Sequence, residues 1–171
     1  MPSNSDMNRL VLLPCLDSAE LAAARQVELR IPQRKAAQLG ASAVSAARDG
    51  YYVDSAGTRV ALREAVQAAR AAKLSIPPEA ALPGRTRGPF AETRVQVSNE
   101  TTLAASLRFV QRGLRPLALN FANGIEPGGG FLDGALAQEE VLCRSSALNA
   151  TLVGDPMYVA HDERPTADSS D

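Results

Sequence analysis

The sequence predicts an α/β protein in which a helical N-terminal extension carrying a β-hairpin precedes an α/β layer. Three observations predict it: an Ala-, Leu- and Arg-rich stretch over residues 18–48, aromatic and β-branched residues flanking a polar turn over 50–62, and strand and helix patterns that alternate from residue 93 onward. At 171 residues the chain has room for one domain with a sizeable core, or for a small helical unit joined to part of a second domain.

Residues 9–16, RLVLLPCL, imitate a secretory leader only faintly: the apolar run is short, broken by Pro14 and followed at once by Asp17. Residues 1–17 are expected to be disordered and the protein cytoplasmic. The 18–48 stretch reads as one or two helices interrupted near Ile31 and Pro32. GYYVDSAGTRVAL, residues 50–62, reads as a hairpin with Gly57 in its turn, and 63–73 returns to helix composition. Four prolines and two glycines make 76–89 a linker. The expected organisation is a disordered 1–17, a helical extension over 18–89 and an α/β region over 90–171.

Within that last region TRVQVS (93–98) alternates as a strand, and 100–112 places Leu103, Leu107 and Val110 on one helical face before Gly113 stops it. PLALNF (116–121) is almost continuously apolar, as a parallel strand covered on both faces would be. A helix is expected from about 135 to 149, capped by Asp133, with a polar loop over 162–171.

Apolar residues make up 45% of the chain and the net charge is -1, which argues against both a disordered chain and a general polyanion binder. Neither direct nucleic-acid binding nor a membrane partner is expected. Cys15 and Cys143 have no CxxC spacing and His161 is the only histidine, so reduced thiols and no zinc site are expected. No cofactor is expected either.

The chemistry concentrates in PGGGFLDGALAQEEVLC, residues 127–143. A strand, a glycine turn and a helix present backbone N–H groups and a helix N-terminus to an anion, usually a phosphate. Phe131 follows Gly130 where a Walker A loop has Lys, and the dinucleotide fingerprint is not matched, so the common ATP and NAD readings fall away. The plain alternative is a permissive turn. Glu139 and Glu140, adjacent on a helix, point about 100° apart and cannot address one atom. One could hold a ligand hydroxyl while the other works on a bond; an exposed acidic pair is the alternative. A general acid must keep its proton near neutrality, which burial favours; a helix N-terminus opposes it by only about 0.3–1 kcal/mol and within the first turn, and these glutamates are expected in the second. Asn120 and Asn123, at the carboxyl end of the expected strand, can hold a ribose hydroxyl or simply bond their own backbone. Phe131 can stack on a ribose or base, or pack.

The stretch NFANGIEPGGGFLDGALAQEEVLCRSSAL, residues 120–148, resembles the signature of the bacterial-type poly(ADP-ribose) glycohydrolases, a branch of the macrodomain fold. The family pattern is GGG, a short spacer, then QEE; here the spacer is the seven residues 131–137. The likeness extends over roughly 19–158. It implies the first half of a macrodomain-like three-layer α/β/α sheet and a substrate of ADP-ribose or poly(ADP-ribose). It implies further that Glu140 protonates the leaving oxygen of a ribose–ribose O-glycosidic bond and later deprotonates the attacking water, while Glu139 bonds ribose hydroxyls. Gly128, Gly129 and Gly130 would pass close to the diphosphate and ribose, with Phe131 beside them. Asn123 would fix the distal ribose and Gln138 would hold the catalytic segment, with no metal and release of ADP-ribose from a chain end. The family adds further strands, a second phosphate loop and an aromatic residue beyond the QEE helix. Their absence from this sequence leads to the expectation of a truncated product whose 116–121 strand keeps an unpaired edge and self-associates. Two other readings stand beside it: a module that binds ADP-ribose without cleaving it, and an inactive fragment whose helices serve protein interaction.

Overall fold

In the computed structural model, which describes residues 9–82, 84 and 90–163, the elements in chain order are β1 (Arg9–Leu12), α1 (Ala19–Leu29), α2 (Gln33–Asp49), β2 (Tyr51–Val53), β3 (Arg59–Ala61), α3 (Arg63–Ala71), β4 (Glu92–Val95), α4 (Thr102–Gln111), α5 (Gln138–Ser145), α6 (Asn149–Leu152) and α7 (Pro156–Asp162). The mixed helix and strand class is as the sequence predicts. Parts of the expected leader (1–8), linker (83 and 85–89) and tail (164–171) lie outside the described residues. The chain divides into two compact units, each assembled from two separated stretches, rather than linearly at residue 89: residues 1–30 with 81–116, and 31–80 with 117–171.

In the first unit β1 and β4 run parallel, Arg9 opposite Glu92 and Leu12 opposite Val95, and a bridge from Leu16 to Ser98 continues the pairing. Residues 9–12 are therefore a strand and not part of a disordered leader: the N–H groups of Arg9, Leu13 and Leu16 find carbonyls on Ala91, Val95 and Val97. Ser18 caps α1 by accepting from the N–H of Leu21, and Thr101 caps α4 by accepting from that of Ala104. Gly113, at φ 75°, ends α4 as its sequence position predicts. Leu107 and Val110, on the helical face read from the sequence, stay more than half exposed, at 58% and 55%.

In the second unit α2 begins just after Pro32, at the predicted interruption, and ends where Gly50 turns left-handed at φ 80°. The predicted hairpin follows, with Tyr51 opposite Ala61 and Val53 opposite Arg59. Its turn is held by Asp54, whose Oδ1 accepts from the N–H groups of Ala56 and Thr58. Ala36 and Gly40, four apart and hence on one face of α2, are both buried. A Cβ at Gly40 would stand 2.7 Å from the Phe131 carbonyl oxygen, so α2 presses directly onto the glycine loop because it has no side chain there. Phe131, Leu142, Cys143, Val66 and Tyr158 fill the core. Arg70 of α3 donates to the Ala150 carbonyl of α6, and Ser75 and Lys73 hold Asp155, the cap of α7.

Two expectations fail here. Residues 116–121 form no strand; Leu117, Leu119 and Phe121 are 99%, 69% and 69% exposed. An apolar run becomes a strand only where a neighbour supplies the ladder, and no backbone group among the described residues bonds to this one. The helix expected over 135–149 splits into α5 and α6, with α5 starting only at Gln138. Asp133 does not cap it: its N–H donates to Gly130 and its carbonyl accepts from Gln33 Nε2 at 2.8 Å. Gly134 turns left-handed at φ 85° and residues 135–137 are not yet helical, so the chain is still turning where helix was expected.

Candidate functional site

The site gathers in the second unit, where α5 meets residues 119–131. Its first three residues aim at three different places. Gln138 reaches the 119–121 segment, its Oε1 accepting from the Phe121 N–H at 3.0 Å while its Nε2 donates to the Leu119 carbonyl at 2.8 Å. A side-chain amide thus meets one edge of the segment as a neighbouring strand would.

Glu139, only 2% exposed, spends both oxygens on protein donors: Oε1 accepts from Asn120 Nδ2 at 3.1 Å and Oε2 from the Asn123 N–H at 2.8 Å. Glu140, 9% exposed, turns to the glycine loop, where Oε1 accepts from the Gly130 N–H at 3.3 Å. Its Oε2 is buried with no partner among the described residues, and so are Asn120 Oδ1 and the Tyr158 hydroxyl. Buried polar atoms in native proteins are almost always paired, so unpaired ones around a carboxylate pair mark a place that expects something else. Both glutamates lie in the first turn of α5, not the second as expected, because the helix starts three residues late. There the backbone N–H groups and the helix dipole favour negative charge.

The glycines serve the carboxylates as well as the loop. Gly129, at φ 54°, has no room for a Cβ because the Glu140 carboxylate occupies that position. A Cβ on Gly128 would stand 3.0 Å from both Cys143 Sγ and the Phe131 ring. The triplet thus lets protein atoms, Glu140 foremost, approach the backbone; the approach of a diphosphate was the expectation. Phe131 is 2% exposed, its ring enclosed between α2 and Gly128 and not open to stacking on a ligand. Asn123 turns its side-chain oxygen to the N–H groups of Ile125 and Glu126, at 2.8 and 2.9 Å, which leaves Nδ2 for a ligand.

The sequence pattern of the microbial-type PARG catalytic domain, PARG being poly(ADP-ribose) glycohydrolase, matches residues 40–171. The chain belongs to the microbial-type PARG family. Its structure is similar to that of a poly(ADP-ribose) glycohydrolase from Thermomonospora curvata, with 34% identity and a TM-score of 0.62, over 75% of this chain and 49% of that one. The same figures for identity and score hold for the T. curvata glycohydrolase bound to the inhibitor ADP-HPD, over 75% of this chain and 48% of that one. The chain thus spans about half the length of the solved structures it matches. No curated protein matches it.

Within this family member, three site neighbours were given no role by the sequence reading. Cys143, fully buried on α5 with its sulfur against Gly128, has its thiol pushed up to about 11 by burial first and then by the Glu139 and Glu140 carboxylates, so it stays protonated and is no nucleophile. Arg144, 8% exposed, donates to the Ala135 carbonyl at 3.0 Å; burial lowers its guanidinium from the usual value while Glu140 opposes that. Tyr158 comes from α7, a helix the sequence reading left out, although Asp155 followed by Pro156 is a cap-and-first-turn signal.

Proposed function

We propose that this chain carries the acid–base site of poly(ADP-ribose) glycohydrolase-type chemistry, hydrolysis of the ribose–ribose O-glycosidic bond with release of ADP-ribose. The observation that carries it is the asymmetry of Glu140: one oxygen is held by the Gly130 N–H and the other, buried, has no partner among the described residues. In its protonated form Glu140 presents the acid proton on that free Oε2. The proton passes to the leaving ribose oxygen as the C–O bond breaks, the sugar becomes an oxocarbenium-like cation, and water adds to it while giving a proton back to the Glu140 carboxylate. Glu139 acts differently. Held by Asn120 and Asn123, it fixes the segment on which a ribose would rest, and Asn123 Nδ2 is the group left to meet a sugar hydroxyl. Gly128, Gly129 and Gly130 would lie against the diphosphate and ribose on their other side.

The decisive experiment incubates the protein with poly(ADP-ribose) beside Glu140→Gln. Release of ADP-ribose by the parent, lost by at least about 100-fold in the variant, is the expected result, general acid–base catalysis contributing roughly 10²–10⁴-fold. Equal rates would remove Glu140 from the chemistry. The second reading, an ADP-ribose-binding module, is favoured by the same unpaired atoms, since these require a ligand and not turnover. Calorimetry with ADP-ribose separates the two: binding without product identifies the module, and no binding at millimolar ligand argues against both and for an inert fragment.

We also assign the chain to the macrodomain-like class and to the cytoplasm. Both cysteines are free thiols, and among the described residues no helix is long and apolar enough to cross a membrane. The exposed Leu117, Leu119 and Phe121 support self-association, which sedimentation would read directly.

A further inference from the structure

Two of the unpaired buried atoms are complementary in kind. Asn120 Oδ1 can only accept a hydrogen bond, and the Tyr158 hydroxyl can donate one. Asn120 lies against Glu139, and the Glu139 charge acts on the Tyr158 phenol. Asn120 is bonded to Glu139 through its other amide atom. Tyr158, 7% exposed, projects from α7, and one turn further along the same helix the His161 ring lies 3.4 Å from where a Cβ on Gly124 would stand, so this face of α7 covers the segment that Glu139 holds.

We propose that Tyr158 is a positioning residue of the acidic site: when a ligand occupies the site, its hydroxyl donates to Asn120 Oδ1 and locks the Asn120–Glu139 pair, and with it the 120–123 segment. This rests on the glycohydrolase reading above. The phenol is fitted for the task, because burial first, and then Glu139, Asp155 and Cys143, push it up to about 12 and keep it a donor at any physiological pH. Hydrogen bonds in such sites are commonly long or misaligned in the free protein and tighten only with ligand bound. That accounts for two complementary atoms left unpaired. A donor aimed at Oδ1 also fixes which way the Asn120 amide faces, and therefore keeps its Nδ2 on Glu139.

The test is Tyr158→Phe, which removes one oxygen from a buried ring. In the free protein the hydroxyl has no partner among the described residues, so the melting temperature should hold or rise slightly. With ADP-ribose followed by calorimetry, affinity should fall about 3- to 10-fold, the worth of one hydrogen bond. A double-mutant cycle with Asn120→Ala should show coupling, the second change costing less once the first is made. A clear fall in the melting temperature of the free variant would overturn the proposal, since the hydroxyl would already be bonded without ligand. Unchanged affinity, or strictly additive losses in the cycle, would overturn it as well while leaving the glycohydrolase reading intact. Failure of the parent to bind ADP-ribose would sink that reading and this one together, and is told apart by the parent measurement alone.

Discussion

Replacing Glu139 by alanine should cost this protein much more stability than replacing Glu140 by glutamine, although the two carboxylates are neighbours in sequence. Glu139 is buried and both its oxygens take protein donors, at 3.1 and 2.8 Å. Hydrogen bonds to a charged group contribute about 1.5–3 kcal/mol each, so Glu139→Ala removes roughly 3–6 kcal/mol. Asn123 is exposed, so water can reach the orphaned backbone N–H, and the lower end, about 3 kcal/mol, is expected. For a chain of this size that corresponds to a fall of about 6–12 °C in the melting temperature. Glu139→Gln should cost only about 1 kcal/mol. Its oxygen can still accept from the Asn123 N–H, and Asn120 can turn its amide so that the unpaired Oδ1 accepts from the new NH₂. Glu140→Gln loses little, because Glu140 makes a single 3.3 Å bond, to Gly130, among the described residues. Thermal melts followed by circular dichroism should rank Glu139→Ala lowest, Glu139→Gln between and the parent highest, and faster hydrogen exchange at the Asn123 amide in Glu139→Ala locates the damage. Should Glu139→Ala melt within about 2 °C of the parent, the strut role assigned to Glu139 is wrong.

On the proposed glycohydrolase reading, Gly129→Ala should lose activity on poly(ADP-ribose) beyond what its stability explains: the left-handed φ of 54° costs an alanine about 1–2 kcal/mol, and the new methyl displaces the Glu140 carboxylate. A folded Gly129→Ala variant with parental activity would show that Glu140 need not sit where it does. Stability should fall as pH rises from about 9 towards 11, because the Cys143 thiol is raised from 9.0 to about 11 in the folded state and ionises first on unfolding. Below that window its contribution is fully present. Denaturant midpoints of the parent and Cys143→Ala at pH 8, 9, 10 and 11 should converge as the pH rises, and a constant gap would disprove the burial-driven shift.

Local chemistry determined much of this protein. Ser18, Pro32, Gly50, Asp54 and Gly113 act through their own backbone preferences, which is why the helix ends and the hairpin could be read from the chain. The GGG and QEE spacing likewise placed the glutamate pair on a helix after the glycine loop. What tertiary structure decided was direction and burial. Nothing in the sequence says that Glu139 faces Asn120 and Asn123 while Glu140 faces Gly130, or that the triplet is needed for a carboxylate and for Cys143. Those depend on α2 pressing through Gly40 onto Phe131, a contact between residues 91 positions apart. The same reason explains the failure at 116–121: apolar composition states a preference for a strand, but only a bonded neighbour makes one. Tyr158 was illegible for a related cause, since its burial in the core follows from how Ser75 and Lys73 hold Asp155 at the head of α7. Conformational preference is a property of a few consecutive residues, whereas the partner of a buried polar atom is fixed only when distant segments meet.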